Sequence, residues 1–295
     1  YDDSMFFMNC SYSKRKKELF LKRILKISFL LFLLIFSCSL WIPKLRYLSE
    51  ISRLDADTVE SPRFRQQPVN AQTARIISDM KNPGEYLAVY WLESGFGEQN
   101  ILLTPEDALT LRKRWERADG WSSYLSASQA VWDDLVYFPV ALSQSSNIDV
   151  SFEDSWMFDR TYKGKRGHEG TDIMPDKNER GVLPVVSMTD GVVQNKGWLE
   201  LGGYRIGIQA PHGAYFYYAH LDSYADIEEG DEVKAGDLLG FMGDTGYGTA
   251  EGTKGKFPVH LHLGIYIYNR EHEISVNPYP ALKYVEAKKI DYTDR

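Results

Sequence analysis

The chain has 295 residues, of which 43% are apolar and 25% are charged, and a formal net charge of −7. This composition is typical of one or two globular domains and excludes global disorder. The charge is uneven. Nine of the 34 Lys and Arg residues, but only three of the 41 Asp and Glu residues, lie in 1–47, so the remaining 248 positions carry 25 basic and 38 acidic residues, net −13. So acidic a segment is not expected to bind nucleic acid.

The N-terminal segment has the pattern of a membrane anchor. A basic tail, 1–23, precedes an uncharged run, and we predict a transmembrane signal anchor over 24–43 that ends at Pro43. Because the positive charges flank its N-terminal side, we expect a cytoplasmic N-terminus, with the rest of this single-pass membrane protein extracytoplasmic.

Two alternatives to the anchor stay open. Cleavage after Ser37 or Ser39 would give a secreted protein, and Cys38 is a candidate for lipidation. Cys10 and Cys38 are the two cysteines of the sequence, and both precede the predicted exported part. That part must therefore fold without a disulfide and bind any metal ion without thiolates.

Two segments without a chemical motif follow the anchor. Residues 44–72 are charged and polar, with two prolines, and we predict a linker of low order. Residues 73–145 are predicted to form a smaller, mostly helical accessory region that positions or restrains the part that follows. Restraint would make 150–295 alone at least as active as 44–295.

Helix signals in this accessory region are clearest at Thr104. A threonine followed by proline and two acidic residues is typical of a helix start, and the apolar stripe predicted for this helix is Leu109, Leu111 and Trp115. The segment 85–96 is apolar and aromatic, which fits either a strand or a buried helix.

From residue 150 the pattern changes to short apolar runs separated by Gly, Pro, Asp and Asn. Such runs predict an all-β domain with antiparallel strands, here over 150–285, followed by a C-terminal tail, 286–295.

Two histidines one residue apart, His260 and His262, lie in the most apolar of these runs. On a strand, side chains at i and i+2 point to the same face, so both histidines are expected to face one point. One can bind a metal ion while the other contacts a substrate beside it. Without partners, the pair could equally line the solvated face of a sheet.

Partners occur in the same region. His168 and Asp172 are four residues apart and flanked by glycines that let the backbone bend both toward one point, and His220 ends another predicted strand. His168, Asp172 and one histidine of the pair would make three ligands, the arrangement in which catalytic zinc keeps a fourth position for water. Imidazole and carboxylate without thiolate suit zinc in an exported protein.

These motifs, in the order His-x-Gly-x-Asp, Tyr-Ala-His-Leu and His-Leu-His-Leu, with a Gly-Asp-Thr-Gly loop before the last, resemble the lysostaphin-type family of zinc peptidoglycan endopeptidases over about residues 160–280. The resemblance implies a mainly β catalytic domain with an antiparallel, barrel-like sheet of the duplicated hybrid motif type and an open groove. It also implies hydrolysis of peptide bonds in peptidoglycan cross-links or stem peptides.

By the same resemblance, one Zn²⁺ ion would be held by His168, Asp172 and His262. His220 and His260 would be the catalytic histidines, with the general base undecided between them. Tyr162, six residues before the first ligand, is a candidate substrate contact.

Two questions stay open at this stage. The residues just before and after the histidine pair depart from the family pattern, at 255–259 and 263–264, so the bond that is cut is not predicted. The alternative function is a catalytically inactive relative that acts as an envelope binding or regulatory protein. All five site positions are occupied by the expected residue types, which favours the enzyme. The oligomeric state is not predicted.

Overall fold

The computed structural model describes residues 3–51, 54–143, 147–162 and 164–292. The ends of the predicted tails (1–2 and 293–295), part of the linker (52–53) and the end of the accessory region (144–145) lie outside the described residues. The described chain forms two units: the helix α1, Asp3–Ile51, and a larger unit that begins at Leu54.

Helix α1 contains a segment, Leu19–Leu45, that is long and apolar enough to cross a membrane, with a mean hydropathy of 2.2. Its large apolar side chains are exposed. The helix itself continues past Pro43 to Ile51, and the membrane-spanning bounds 24–43 stay a prediction. Proline removes one backbone donor from a helix, a loss that apolar membrane helices tolerate.

The helices of the larger unit lie mostly in its N-terminal half. They comprise a 3-10 helix, Ala56–Glu60, and α2 Pro62–Arg65, α3 Ala71–Ile77, α4 Gly84–Ser94, α5 Pro105–Trp115, α6 Trp121–Trp132 and α7 Tyr279–Val285.

Strands occupy the C-terminal half. They are β1 Leu142–Ser143, β2 Val150–Phe152, β3 Asp159–Arg160, β4 Arg166–Gly167, β5 Thr171–Pro175, β6 Pro184–Val186, β7 Gly191–Leu199, β8 Gly203–Gln209, β9 Tyr215–Tyr224, β10 Glu232–Val233, β11 Leu238–Met242, β12 Leu261–Asn269, β13 His272–Val276 and β14 Asp291–Tyr292.

The linker predicted for 44–72 is wrong for residues 54–72. Leu54, Val59 and Phe64 are buried, and buried Gln67 accepts a hydrogen bond from the Trp132 indole at 2.7 Å. The polar composition of 54–72 suggested a linker of low order, but a few well-spaced apolar side chains suffice to pack a short helical segment.

The helical region is confirmed at Thr104, whose side chain accepts a hydrogen bond from the Asp107 amide at the start of α5. The ambiguous segment 85–96 is mostly the buried helix α4. The predicted stripe on α5 is only partly right, because Trp115 is buried while Leu109 is exposed.

The helical and β regions are parts of one unit. The Arg65 guanidinium donates to the Ser275 carbonyl and hydroxyl at 2.9 and 2.8 Å, and the Arg65 carbonyl accepts from the Asn277 amide. Trp132 packs edge-on against Tyr284. The predicted free tail 286–295 is also wrong in part, since β14 pairs with β1 in parallel. The described helical residues and the β region thus form one compact unit.

The main sheet confirms the predicted mainly β architecture. Its strands follow the order β10-β7-β8-β9-β12-β5-β2, β13 also pairs with β12, and β11 pairs with β6 and with the end of β9; all these pairings are antiparallel. One face of β8, β9 and β12 is fully buried, with Ile208, Phe216 and Ile265 at its centre. The other face carries the groove described below.

A β-bulge near the end of β9 interrupts the alternation of faces. The register between β8 and β9 shifts between Tyr204 and Ile206, opposite His220, whose φ of 65° lies in the left-handed region. By simple alternation from Tyr218, which points into the core, His220 would point there too. The bulge turns its side chain to the groove instead, as bulges beside active sites commonly do.

Candidate active site

Three side chains converge at the junction of β12 and β5. His262 on β12 is the register partner of Asp172 on β5, and His168 lies in the turn just before β5. His168 Nε2, Asp172 Oδ1 and His262 Nδ1 form a triangle with three edges of 3.0 Å. The structure therefore brings together the three predicted ligands.

The chemistry of this triangle fits a zinc ion. Ligand atoms about 2.0 to 2.2 Å from one zinc ion in a tetrahedral arrangement lie roughly 3.3 to 3.6 Å apart, so the 3.0 Å edges need only a small expansion. His168 Nδ1 lies 3.1 Å from both the carbonyl oxygen and the hydroxyl of Ser155, and these contacts orient the ring so that Nε2 faces the triangle.

The second oxygen of Asp172 is held by an arginine that the sequence analysis missed. Arg160 donates to Asp172 Oδ2 at 2.5 Å. Burial raises the pKa of Asp172, but the hydrogen bonds with His168 and His262 outweigh burial and hold that pKa well below its ordinary value. The carboxylate is therefore ionised and oriented, as a metal ligand must be.

Gly170 leaves room for the His262 ring. A Cβ at this position would lie 2.3 Å from His262 Cε1 and 2.7 Å from the Leu263 carbonyl oxygen. The glycine between the two ligands of the His-x-Gly-x-Asp motif therefore lets β12 and its histidine approach the turn closely.

His220 and His260 lie beside the triangle, with ring centroids 4.7 Å apart. His260 Nδ1 lies 2.8 Å from the Pro258 carbonyl, and His220 Nδ1 lies 2.7 Å from the Thr245 carbonyl. Each ring must donate from Nδ1, which leaves Nε2 to accept a proton. Burial lowers the pKa of both histidines, so both are neutral at pH 7.

Thr245, in the Gly-Asp-Thr-Gly loop, positions His220 from two sides. Besides its carbonyl contact, its hydroxyl donates to the Leu221 carbonyl at 2.6 Å and accepts from the Tyr204 amide at 3.0 Å. These bonds tie β8 and β9 together at the bulge. They hold His220 in its left-handed backbone conformation, which costs energy in a residue other than glycine.

The site opens into a groove of about 940 Å³ along the sheet. Within the described part of the chain, all the lining side chains lie between Arg160 and Glu273, so the described helices contribute none of them. Tyr162 is not among them: it stacks on Tyr247, which does line the groove, with ring centroids 4.3 Å apart. Its role as a substrate contact stays a prediction.

Comparison with known proteins gives two family matches. Residues 166–278 match the model of peptidase family M23, and residues 49–134 match the LytM N-terminal domain. The second match covers the helical region, for which the sequence analysis found no motif.

Individual relatives agree with these matches. The L-Ala–D-Glu endopeptidase of Bacillus subtilis is 45% identical over 136 residues, which cover 46% of this chain and 40% of the relative. Lysostaphin of Staphylococcus simulans is 33% identical over 102 residues, 34% of this chain and 19% of that protein. The chain thus spans less than half of the length of both relatives.

A solved structure covers both regions. The crystal structure of a candidate glycyl-glycine endopeptidase, LytM, from Ruminococcus gnavus is 52% identical, with a TM-score of 0.78 over 83% of this chain and 98% of that one. Because the match extends over the helical region, the groove and the histidine cluster, the chain belongs to peptidase family M23.

Proposed function

We propose that this protein is a zinc-dependent endopeptidase that hydrolyses peptide bonds in the cross-links or stem peptides of peptidoglycan. The observation that carries the proposal is the 3.0 Å triangle of His168, Asp172 and His262, with two further histidines presenting Nε2 beside it. A bound zinc ion would polarise the scissile carbonyl and acidify a water molecule.

The two free histidines have separate roles in this proposal. His260 Nε2 is 3.8 Å from Asp172 Oδ1 in the triangle. The ring centroids of His220 and His262 are 6.0 Å apart. We assign to His260 the acceptance of the proton from the attacking water and its delivery to the leaving amine. His220 is assigned the stabilisation of the charge that develops on the carbonyl oxygen.

Digestion of isolated peptidoglycan by the full chain, with and without a chelator, tests this function, with mass analysis of the new amino termini. We expect chelator-sensitive release of peptides that zinc restores. His262→Ala should abolish it, while His272→Ala, an exposed histidine outside the groove, should not. Products unchanged by His262→Ala would refute the zinc mechanism.

The second candidate function is an inactive relative that binds envelope partners. Nothing in the site favours it, since all five positions carry functional side chains. Stoichiometric zinc together with no turnover on any peptidoglycan preparation would favour it over the enzyme.

We propose that α1 anchors the protein in the membrane, with the larger unit on the extracytoplasmic side. The support is the apolar segment Leu19–Leu45 and the basic residues before it. Fractionation of cells and the mass of the mature protein separate an anchored protein from one that is cleaved and secreted. A mature form that lacks residues before Ser39 would refute the anchor.

A further inference from the structure

One buried donor of the groove lacks a partner. Arg205 on β8 lines the groove, and its buried Nη1 atom has no hydrogen-bond partner among the residues that the structure describes. A buried donor without a partner is costly. The position therefore favours an acceptor from outside the chain, and the charge of the guanidinium favours an anion.

Two tyrosines line the same groove as Arg205. Tyr217 and Tyr266 line the same groove, with ring centroids 6.2 Å apart, and Tyr217 lies 6.1 Å from the His262 ring. Tyrosine hydroxyls are protonated at neutral pH and can donate. Arg205 is two residues from Gly207, the register partner of Tyr217, so the Arg205 and Tyr217 side chains lie on the same face of the sheet.

The strand register gives the distance from the metal ligands. Arg205 lies across from the bulged stretch of β9 that contains Ala219, and Ala219 is the register partner of His262 on β12. Arg205 is thus two strands from His262, about 10 Å at the backbone. An extended peptide advances about 3.5 Å per residue, so a group within about three residues of the cut bond can contact Arg205.

The acidic residues that line the groove are already engaged. Asp172 belongs to the metal triangle, Glu169 lies 3.5 Å from an arginine of α2, and Glu273 accepts a hydrogen bond from a tyrosine. A second arginine of the groove, Arg166, also has a buried guanidinium atom, Nε, without a hydrogen-bond partner among the described residues. Although the chain after residue 47 is strongly acidic, its groove keeps positive charge available.

We propose that Arg205 binds a carboxylate of the substrate beside the scissile bond, with Tyr217 and Tyr266 as additional donors. The enzyme then prefers acidic stem peptides, such as those with a free D-Glu carboxylate, over neutral glycine bridges. Arginine pairs with carboxylates through two parallel hydrogen bonds, and a glycine bridge offers no side-chain carboxylate. This inference rests on the proposed function and specifies its substrate.

Two synthetic stem peptides that differ only in a free or an amidated D-Glu carboxylate test it. We expect the zinc-loaded full chain to prefer the acid by about tenfold or more in kcat/KM, the range for a hydrogen-bonded charge pair. Arg205→Gln should reduce this ratio to below about threefold, and Arg205→Lys should retain part of it. Arg117→Gln, an exposed arginine outside the groove, is the matched control and should keep the ratio.

Melting temperature and zinc content confirm that each variant is folded and loaded. A wild-type chain without acid preference, or an unchanged ratio in Arg205→Gln, would overturn the proposal. Loss of the kcat/KM preference for the acid peptide in Arg166→Gln but not in Arg205→Gln would also overturn the proposal.

Calorimetric binding of the same two peptides separates this inference from the proposed function. No cleavage of either peptide, with the acid bound about tenfold more tightly by wild type but not by Arg205→Gln, would refute the function and support the subsite. Equal cleavage and equal binding of acid and amide would support the function and refute the subsite.

Discussion

Replacing Gly170 with alanine would displace His262, the proposed zinc ligand, without removing it. The new Cβ would lie 2.3 Å from His262 Cε1, about 1.1 Å short of the 3.4 Å at which ordinary contact begins, and the Leu263 carbonyl on its other side belongs to the backbone. Zinc–ligand distances vary by only about 0.2 Å. The ring must therefore move by several times that tolerance, and we expect zinc affinity to fall by about 10- to 100-fold, the range measured when the support of a ligand is lost.

Competition with a chromophoric chelator measures this affinity, and the melting temperature of the metal-free chain measures folding separately. Gly164→Ala is the matched control: its Cβ would meet nothing within 4 Å, but its φ of +117° is strained for alanine. We expect Gly164→Ala to lose about 1 to 3 kcal/mol of stability with unchanged zinc affinity. Wild-type zinc affinity in Gly170→Ala would refute the reasoning.

Four further outcomes are expected. His260→Ala should keep zinc but lose about 10²- to 10⁴-fold in kcat, while His262→Ala should lose the metal itself, as zinc analysis and single-turnover rates would show. Arg160→Gln should weaken zinc binding about 10- to 100-fold because Asp172 Oδ2 loses its donor, and an affinity equal to wild type would contradict this. Burial lowers the pKa of His220 below its ordinary 6.5, so below pH 6.5 the unfolded chain binds a proton at this residue that the folded chain does not bind. Chemical denaturation of the metal-free chain should therefore show that the free energy of unfolding decreases as the pH is lowered, by at most about 1.4 kcal/mol per pH unit from this group. His220→Gln should make this pH dependence weaker. The fragment 150–295 should fail to fold by circular dichroism, whereas a folded fragment as active as the full chain would restore the restraint hypothesis.

The expectation that the fragment 150–295 fails to fold is the opposite of the one drawn from the sequence, which was that this fragment is at least as active as 44–295. Restraint of the catalytic part by residues 73–145 assumed two separable parts. The structure instead places Arg65 in hydrogen bonds with Ser275 and Asn277, and packs Trp132 against Tyr284. No described residue of the helical region lines the groove. This region therefore supports the fold of the catalytic part and does not cover its site.

Local spacing singled out His168 with Asp172, and His260 with His262, because the first two lie within one turn and strand start and the second two share one strand face. The choice of His262 as the proposed zinc ligand came from the resemblance to the lysostaphin-type family. Arg160 had no such signal, because nothing in the sequence indicates that a residue eight positions before His168 contacts Asp172.

The sequence by itself determined the mainly β architecture of the C-terminal half, the apolar N-terminal helix, the capped helix at Thr104 and the identity of the clustered histidines, because alternation, capping and ligand spacing are encoded by near neighbours. Tertiary structure alone decided that residues 54–72 are packed and that a bulge turns His220 toward the groove. It also left the buried Nη1 atom of Arg205 without a hydrogen-bond partner among the described residues. These features depend on strand register and on contacts between residues far apart in the chain, and no local pattern specifies them.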